Sequence, residues 1–217
     1  MASAMTGIAA TLLPQGQTAH KTFNIPIPCL ENSVCKISPS HPYAEELRNT
    51  SLFIIDEGSM LSKHAFEAID RLFRDIVGVN APFGGKIFLL GGDFRQTLPI
   101  VRRASPTVIL ENCIISSPLW NVVQRFKLTS NMRVNSNEAE FKSFLIDMGE
   151  GKLPLKRNQP FHDSIEIPSS FTTSNNIVDD IFPHNDMSHD SNHVIKRAIL
   201  CPTNNDAISI NGSVLSR

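Results

Sequence analysis

Almost no net charge is present: 20 Lys and Arg stand against 21 Asp and Glu, a formal −1. A polycationic nucleic-acid coat is thereby excluded, although a local basic groove is not. Cysteine is scarce. Cys29, Cys35, Cys113 and Cys201 form no CxxC pair and show no Cys/His spacing of the zinc type. In 217 residues they make no disulfide framework, and a reducing compartment is expected. Long apolar runs are missing too. Gly7 to Leu13 stops at Pro14, far short of the roughly 20 residues a membrane span needs. No basic stretch precedes it, which argues against a secretory signal. The expectation is a soluble intracellular protein. There is no internal repeat and no GxSxG elbow, so Ser59, Ser62 and His64 near Asp56 do not add up to a hydrolase triad.

What is present reads as globular, with 41% apolar and 19% charged residues. Residues 1–24 hold a short apolar helix-like run and a turn at 13–17. Residues 25–42, with Pro26, Pro28, Pro39 and Pro42, read as a surface loop leading into a helix to about Asn49. Ser51 to Ile55 is a continuous apolar run, the pattern of a strand covered on both faces. A helix is expected from Ser62 to Gly78, because apolar residues at 65, 66, 69, 72, 73, 76 and 77 form one stripe. Lys86 to Leu90 is a second buried strand. Ser117–Val123 reads as a short helix, Arg125–Leu128 as a third strand and Glu138–Met148 as an amphipathic helix. Residues 154–193 are polar and weakly patterned. Arg197–Cys201 is a fourth strand candidate, and Thr203 with Asp206 offers an acidic capping box for a C-terminal helix. Strands alternating with helices predict an α/β parallel sheet, with active residues beyond the carboxyl ends of its strands.

Three features sit at such ends. Phe53-Ile54-Ile55-Asp56-Glu57 closes the first strand with two carboxylates. A nucleoside triphosphatase needs such a pair: one carboxylate holds Mg²⁺, usually through water, and the other orients or deprotonates the attacking water. Taken alone, the plainer reading is a strand that ends in acidic residues because the chain reaches solvent there. Gly91-Gly92-Asp93-Phe94-Arg95-Gln96 follows the next strand. Its glycines permit close backbone approach, and Gln96 suits a γ-phosphate sensor or water aligner. A solvated turn is the plainer alternative. Leu128 to Arg133 follows the third strand candidate, and Arg133 can act as an arginine finger or be an ordinary surface arginine. Trp120 and Phe94 could stack on bases, but a lone Trp after Ser-Pro-Leu reads as a core anchor. His184, Asp186, His189, Asp190 and His193 match no common metal spacing and read as a solvated loop.

As a set, these features resemble the Pif-like DNA helicases, a RecD-like branch of superfamily one with RecA-like motor domains, and especially the Helitron-associated and plant-type members. Thr6-Gly7-Ile8-Ala9-Ala10 with Gly16-Gln17-Thr18-Ala19-His20 is similar to the motif that touches single-stranded DNA. Ile55-Asp56-Glu57 resembles Walker B. Pro82 to Lys86 through Gly92–Gln96 looks like motif III, and Ser117–Trp120 with Leu128–Arg133 resembles the stretch bearing the motif IV arginine. Cys201-Pro202-Thr203-Asn204 resembles the start of a second motor domain. The resemblance implies a RecA-like P-loop NTPase fold, ATP and Mg²⁺ as cofactors, and Asp56 as metal ligand. It implies Glu57, Gln96 and Arg133 as catalytic and nucleotide-binding residues, and Thr6, Gly7 and His20 as DNA contacts. It further implies unwinding of DNA at single strands and duplex junctions by a nuclear, monomeric, non-membrane enzyme. The family's work lies in replication, recombination, repair, telomere maintenance or transposition.

One family element is missing from these 217 residues. The P-loop, GxxxxGK followed by Ser or Thr, does not occur: Lys86 precedes Ile87 with Asn80 at the first glycine position, and Lys152 precedes Leu153 with Ile146 there. The expected organisation is therefore residues 1–150 as a motor domain without its first strand and P-loop, 151–194 as a polar connection, and 195–217 as the opening of a second motor domain. An internal piece of a helicase, or a gene model opened at an incidental Met, would have this form. Strands around Phe53 and Phe88 would then expose edges and apolar faces. An inactive remnant that only binds DNA or a partner, and a non-helicase P-loop ATPase, are the competing readings.

Overall fold

The structure is a computed structural model that describes residues 1–130, 132, 138–156, 164–183 and 197–216. It contains two compact units, Met1–Gly151 and Lys152–Arg217. No helix among the described residues is long and apolar enough to cross a membrane. All four cysteines are free, and burial pushes the Cys35 thiol up to about 12.

The first unit is built on a four-stranded, all-parallel sheet. Its strands are β1 (Ala2–Ala4), β2 (Gln17–Thr18), β3 (Leu52–Asp56) and β4 (Ile87–Leu90), in the order β2-β1-β3-β4. The helices between them are α1 (Gly7–Thr11), α2 (Ala19–Phe23), α3 (Pro42–Asn49) and α4 (Lys63–Val77). Further along come α5 (Pro106–Glu111), short 3-10 turns at Ile114–Ser116 and Pro118–Val122, and α6 (Ala139–Gly149). Two of the strands escape a pattern reading. Ala2-Ser3-Ala4 has no β-branched side chain, and β2 is two residues long.

Helix α4 forms where its pattern predicts. Ser62 caps it, with Oγ accepting Ala65 N–H at 3.2 Å, and Gly78 ends it at φ +74°. Its apolar stripe buries Phe66, Ile69 and Phe73 in the core, with Phe66 against Phe83 and Phe73 against β3 and β4. Phe53 and Phe88, paired in register, stack at 4.9 Å, and Phe73 meets them edge-on at 4.7 and 5.1 Å. Phe23 of α2 joins the same cluster. Each buried Phe contributes about 1.5–3 kcal/mol and each aromatic contact about 0.5–1.5 kcal/mol more. This cluster is the centre of the core.

The expectation that the strand around Phe53 exposes an edge is not met. β1 pairs with β3 on one side and β4 on the other, so β3 is interior. Among the described residues the edge strands are β2, only two residues long, and β4. The alternate side chains of β4, Ile87 and Leu89, are 65% and 52% exposed. The third strand expected at 125–128 does not form: these residues join no ladder, and Phe126 and Leu128 are 80% and 97% exposed. Residues 197–201 likewise form no strand.

The approach to β4 is held by a buried carboxylate. Asp70 Oδ1 accepts Phe83 N–H at 2.6 Å, and its Oδ2 accepts Arg74 Nε–H at 2.8 Å. Phe83 itself is left-handed, with φ +52°. Asp70→Ala would strand a buried N–H and remove an ionic partner, so we expect a loss of about 2 kcal/mol. Thermal unfolding should register it as a fall of about 4–8 °C, and an unchanged midpoint would show that the turn holds itself.

The second unit carries α7 (Ile177–Ile181) and α8 (Asn204–Leu215), which contact each other. Thr203 caps α8 as expected: its Oγ1 accepts Asp206 N–H at 3.2 Å and donates to Asp206 Oδ2 at 2.6 Å. The weakly patterned stretch before it holds a Leu155–Ile165 bridge and the Asn176-capped α7.

Candidate nucleotide and DNA site

Because all four strands are parallel, their carboxyl ends share one edge of the sheet. Thr6 and Gly7 follow β1, Ala19 and His20 follow β2, Asp56 and Glu57 close β3, and Gly91–Gln96 follow β4. Every described site residue singled out from sequence thus emerges at this edge. Arg133 and the His184–His193 group lie outside the described residues.

The chain turns sharply at the carboxylates. Glu57 adopts a left-handed conformation at φ +55°, ψ +36°, a strained choice for a residue with a Cβ. The turn lets its N–H donate to Asp56 Oδ1 at 2.9 Å. Both carboxylates are half-buried. Among the described residues Asp56 Oδ2 has no hydrogen bond, and no cluster of three or more His, Cys, Asp or Glu could hold a metal. One free carboxylate oxygen suits Mg²⁺, which keeps most of its waters and takes its remaining ligands from one or two carboxylates and substrate phosphates. It would not suit a metal that requires an all-protein cage.

The β4 loop lies directly against this turn. Gly91 N–H donates to Ile55 O at 2.9 Å, and Gly58 N–H donates to Gly91 O at 2.7 Å. Ser59, fully buried, donates from Oγ to Thr97 O at 3.5 Å. Within the loop, Asp93 accepts from Arg95 at its backbone N–H and its Nε, both at 3.0 Å. The Arg95 hydrogen bonds hold the Asp93 carboxyl below the usual carboxylate range, with the Gln96 side chain adding to the effect. Asp93 is thus ionised at neutral pH. Arg95 also reaches Glu150 at 3.5 Å, tying the loop to the end of α6. Phe94 meets Trp120 edge-on at 5.7 Å, and Trp120 packs on the core as its sequence context suggests. Gln96 is exposed.

The β1 end is joined to the same turn, since Met5 N–H donates to Asp56 O at 3.1 Å. Thr6 caps α1, its Oγ1 accepting Ala9 N–H at 3.2 Å, and Gly7 is exposed with open space around it. His20 is partly buried, and burial lowers its pKa below 6.5. It is therefore neutral near pH 7, and would meet a nucleic acid by hydrogen bonding or stacking rather than as a cation.

A parallel sheet whose edge joins a carboxylate pair, a Gly-Gly-Asp-Phe-Arg-Gln loop and a Thr-Gly turn has a match among known proteins. Residues 1–159 match the PIF1-like helicase family. The chain belongs to this family. ATP-dependent DNA helicase PIF1 of Emericella nidulans is 28% identical over 185 residues, covering 79% of this chain and 24% of that protein. ATP-dependent DNA helicase RRM3 of Saccharomyces cerevisiae is 26% identical over 182 residues, covering 79% and 25%. The chain spans about a quarter of the length of these curated relatives. Among solved structures, Bacteroides Pif1 bound to single-stranded DNA superposes with a TM-score of 0.61 at 25% identity, over 71% of this chain and 37% of that one. The same helicase with ADP-AlF3 and single-stranded DNA gives the same values. The fold of the PIF1-like motor domain is thus shown for this chain. What the sequence reading missed is how the carboxylate turn and the β4 loop interlock, because backbone-to-backbone contacts leave no periodic signal.

Proposed function

We propose that this chain is the part of an ATP-dependent DNA helicase that combines the water-activating end of the nucleotide site with part of the DNA track. The observation that carries this reading is the convergence of Asp56, Glu57 and Gly91–Gln96 on the edge that also bears Thr6, Gly7 and His20. In this reading Asp56 holds Mg²⁺, whose charge stabilises the triphosphate when bound. Glu57 takes a proton from the attacking water, Gln96 aligns that water and senses the γ-phosphate, and Arg133 meets the charge that grows on transfer. ATP is bound by these groups together with a P-loop supplied by sequence outside these 217 residues. Residues 1–150 form the motor-domain portion, 151–194 a connection and 195–217 the opening of a second motor domain. The substrate is single-stranded DNA next to a duplex junction, and the working form is a monomer in the nucleus, serving recombination, repair or telomere maintenance. A remnant that binds without turning over ATP is the alternative, and an in-frame P-loop in the transcript ahead of Met1 decides against it.

The test uses the protein with its P-loop in place, on a forked duplex. ATP-dependent strand separation is expected, whereas ATP turnover indifferent to DNA would favour a non-helicase ATPase. On the DNA side, Thr6→Asp keeps the helix cap but opposes phosphate, and His20→Ala removes a contact. Each should weaken binding of single-stranded DNA about tenfold, the equivalent of roughly 1.4 kcal/mol. Unchanged affinity in either would remove that residue from the DNA track.

A further inference from the structure

Three glycines hold the carboxylate turn and the β4 loop in backbone contact. A Cβ on Gly92 would lie 2.8 Å from Ser59 N, 3.2 Å from Gly58 N and 3.4 Å from Ser59 Oγ. A Cβ on Gly91 would lie 3.2 Å from Asp56 Oδ1, and one on Gly58 would lie 3.3 Å from Gly91 O. None of the three has the left-handed φ that would by itself require glycine. Proximity, not backbone conformation, explains them. The atoms in the way are chiefly backbone, so they cannot swing aside as a flexible side chain would. Two hydrogen bonds, Gly58 N–H to Gly91 O and Gly91 N–H to Ile55 O, close the same contact, and the buried Ser59 hydroxyl reaches Thr97 O one residue past Gln96.

We propose that Gly92, with Ser59, is a positioning residue for the reaction: it acts through Gln96 by fixing the β4 loop at one distance from the Asp56-Glu57 turn. The inference rests on the proposed roles of Glu57 and Gln96. Its physical basis is that catalysis by aligned groups is steep in distance, so that a displacement of about 1 Å can cost on the order of 10²-fold. A methyl at Gly92 must push the loop outward from the Ser59 amide. Most of the nucleotide affinity in this reading comes from the P-loop and the metal, and DNA affinity from the β1 and β2 ends, so the displacement changes both only a little.

A double-mutant cycle in the P-loop-containing protein tests it. Gly92→Ala should lower kcat about tenfold or more while KM for ATP stays within about threefold, since only transition-state alignment is lost. In a Gln96→Ala background the same change should cost less than about twofold, because its route of action is gone. Gly212→Ala, which adds a methyl into open space, is the control and should leave turnover unchanged. Should Gly92→Ala fail to fold, Ser59→Ala removes only a hydroxyl and is expected to show the same non-additivity with Gln96→Ala. Costs that multiply independently would overturn the positioning role while leaving Gln96 in the site. Normal turnover in Gly92→Ala would overturn it as well. Normal turnover in Gln96→Ala alone would instead overturn the reading of Gln96, and this inference with it.

Discussion

Replacing Glu57 by Gln in the P-loop-containing protein should lower ATP turnover by about 10²-fold or more, the range expected when a general base is removed. The change is nearly isosteric. It leaves Asp56 Oδ1 bound to the residue 57 amide, and leaves the Gly58–Gly91 hydrogen bond in place. The β4 loop should therefore keep its position, and nucleotide affinity should stay within a few-fold of the parent. Turnover and equilibrium nucleotide binding, measured on the same preparation, separate the two effects. Near-normal turnover would remove Glu57 from the chemistry. A loss of affinity as large as the loss of turnover would make it a binding residue instead.

Arg133→Ala should cut turnover by a factor on the order of 10³ or more if the guanidinium meets the charge developing on the transferred phosphoryl group. Arg133→Lys discriminates further. A lysine keeps the charge but loses the planar fork, so incomplete rescue is expected from it. Full activity in Arg133→Ala would assign the role to another cation.

Most of what positions the site was legible in residue patterns. Phe53–Ile55 and Ile87–Leu90 are apolar runs of strand length, and α4 carries both its cap and its stop in Ser62 and Gly78. Their strength comes from burial, which sequence periodicity reports directly. Ala2–Ala4 was illegible for the opposite reason. Its small side chains carry no strand signal, and it becomes a strand because Met1 O accepts Ile54 N–H and Met5 N–H donates to Asp56 O. Arg125–Leu128 errs the other way. It alternates like a strand, but strand formation is a matter of partners as much as of propensity, and among the described residues none pairs with it. In the site, the residue types at the ends of β3 and β4 were readable one motif at a time. The interlock through Gly58, Ser59, Gly91 and Gly92 was not, because it depends on two turns that are more than thirty residues apart coming within hydrogen-bond distance.

The most direct test concerns residues 1–217 by themselves, beside a version extended upstream through a P-loop, with ATP turnover measured with and without single-stranded DNA. Phosphoryl transfer depends on positioning and charge stabilisation, and a missing phosphate cradle removes both even with Asp56, Glu57 and Gln96 in place. The prediction is no turnover above background from residues 1–217 under either condition. The extended protein should show DNA-stimulated turnover that Glu57→Gln abolishes. DNA-stimulated turnover by residues 1–217 alone, or an extended protein indifferent to Glu57→Gln, would contradict the assignment of this sheet edge as the water-activating half of a helicase nucleotide site.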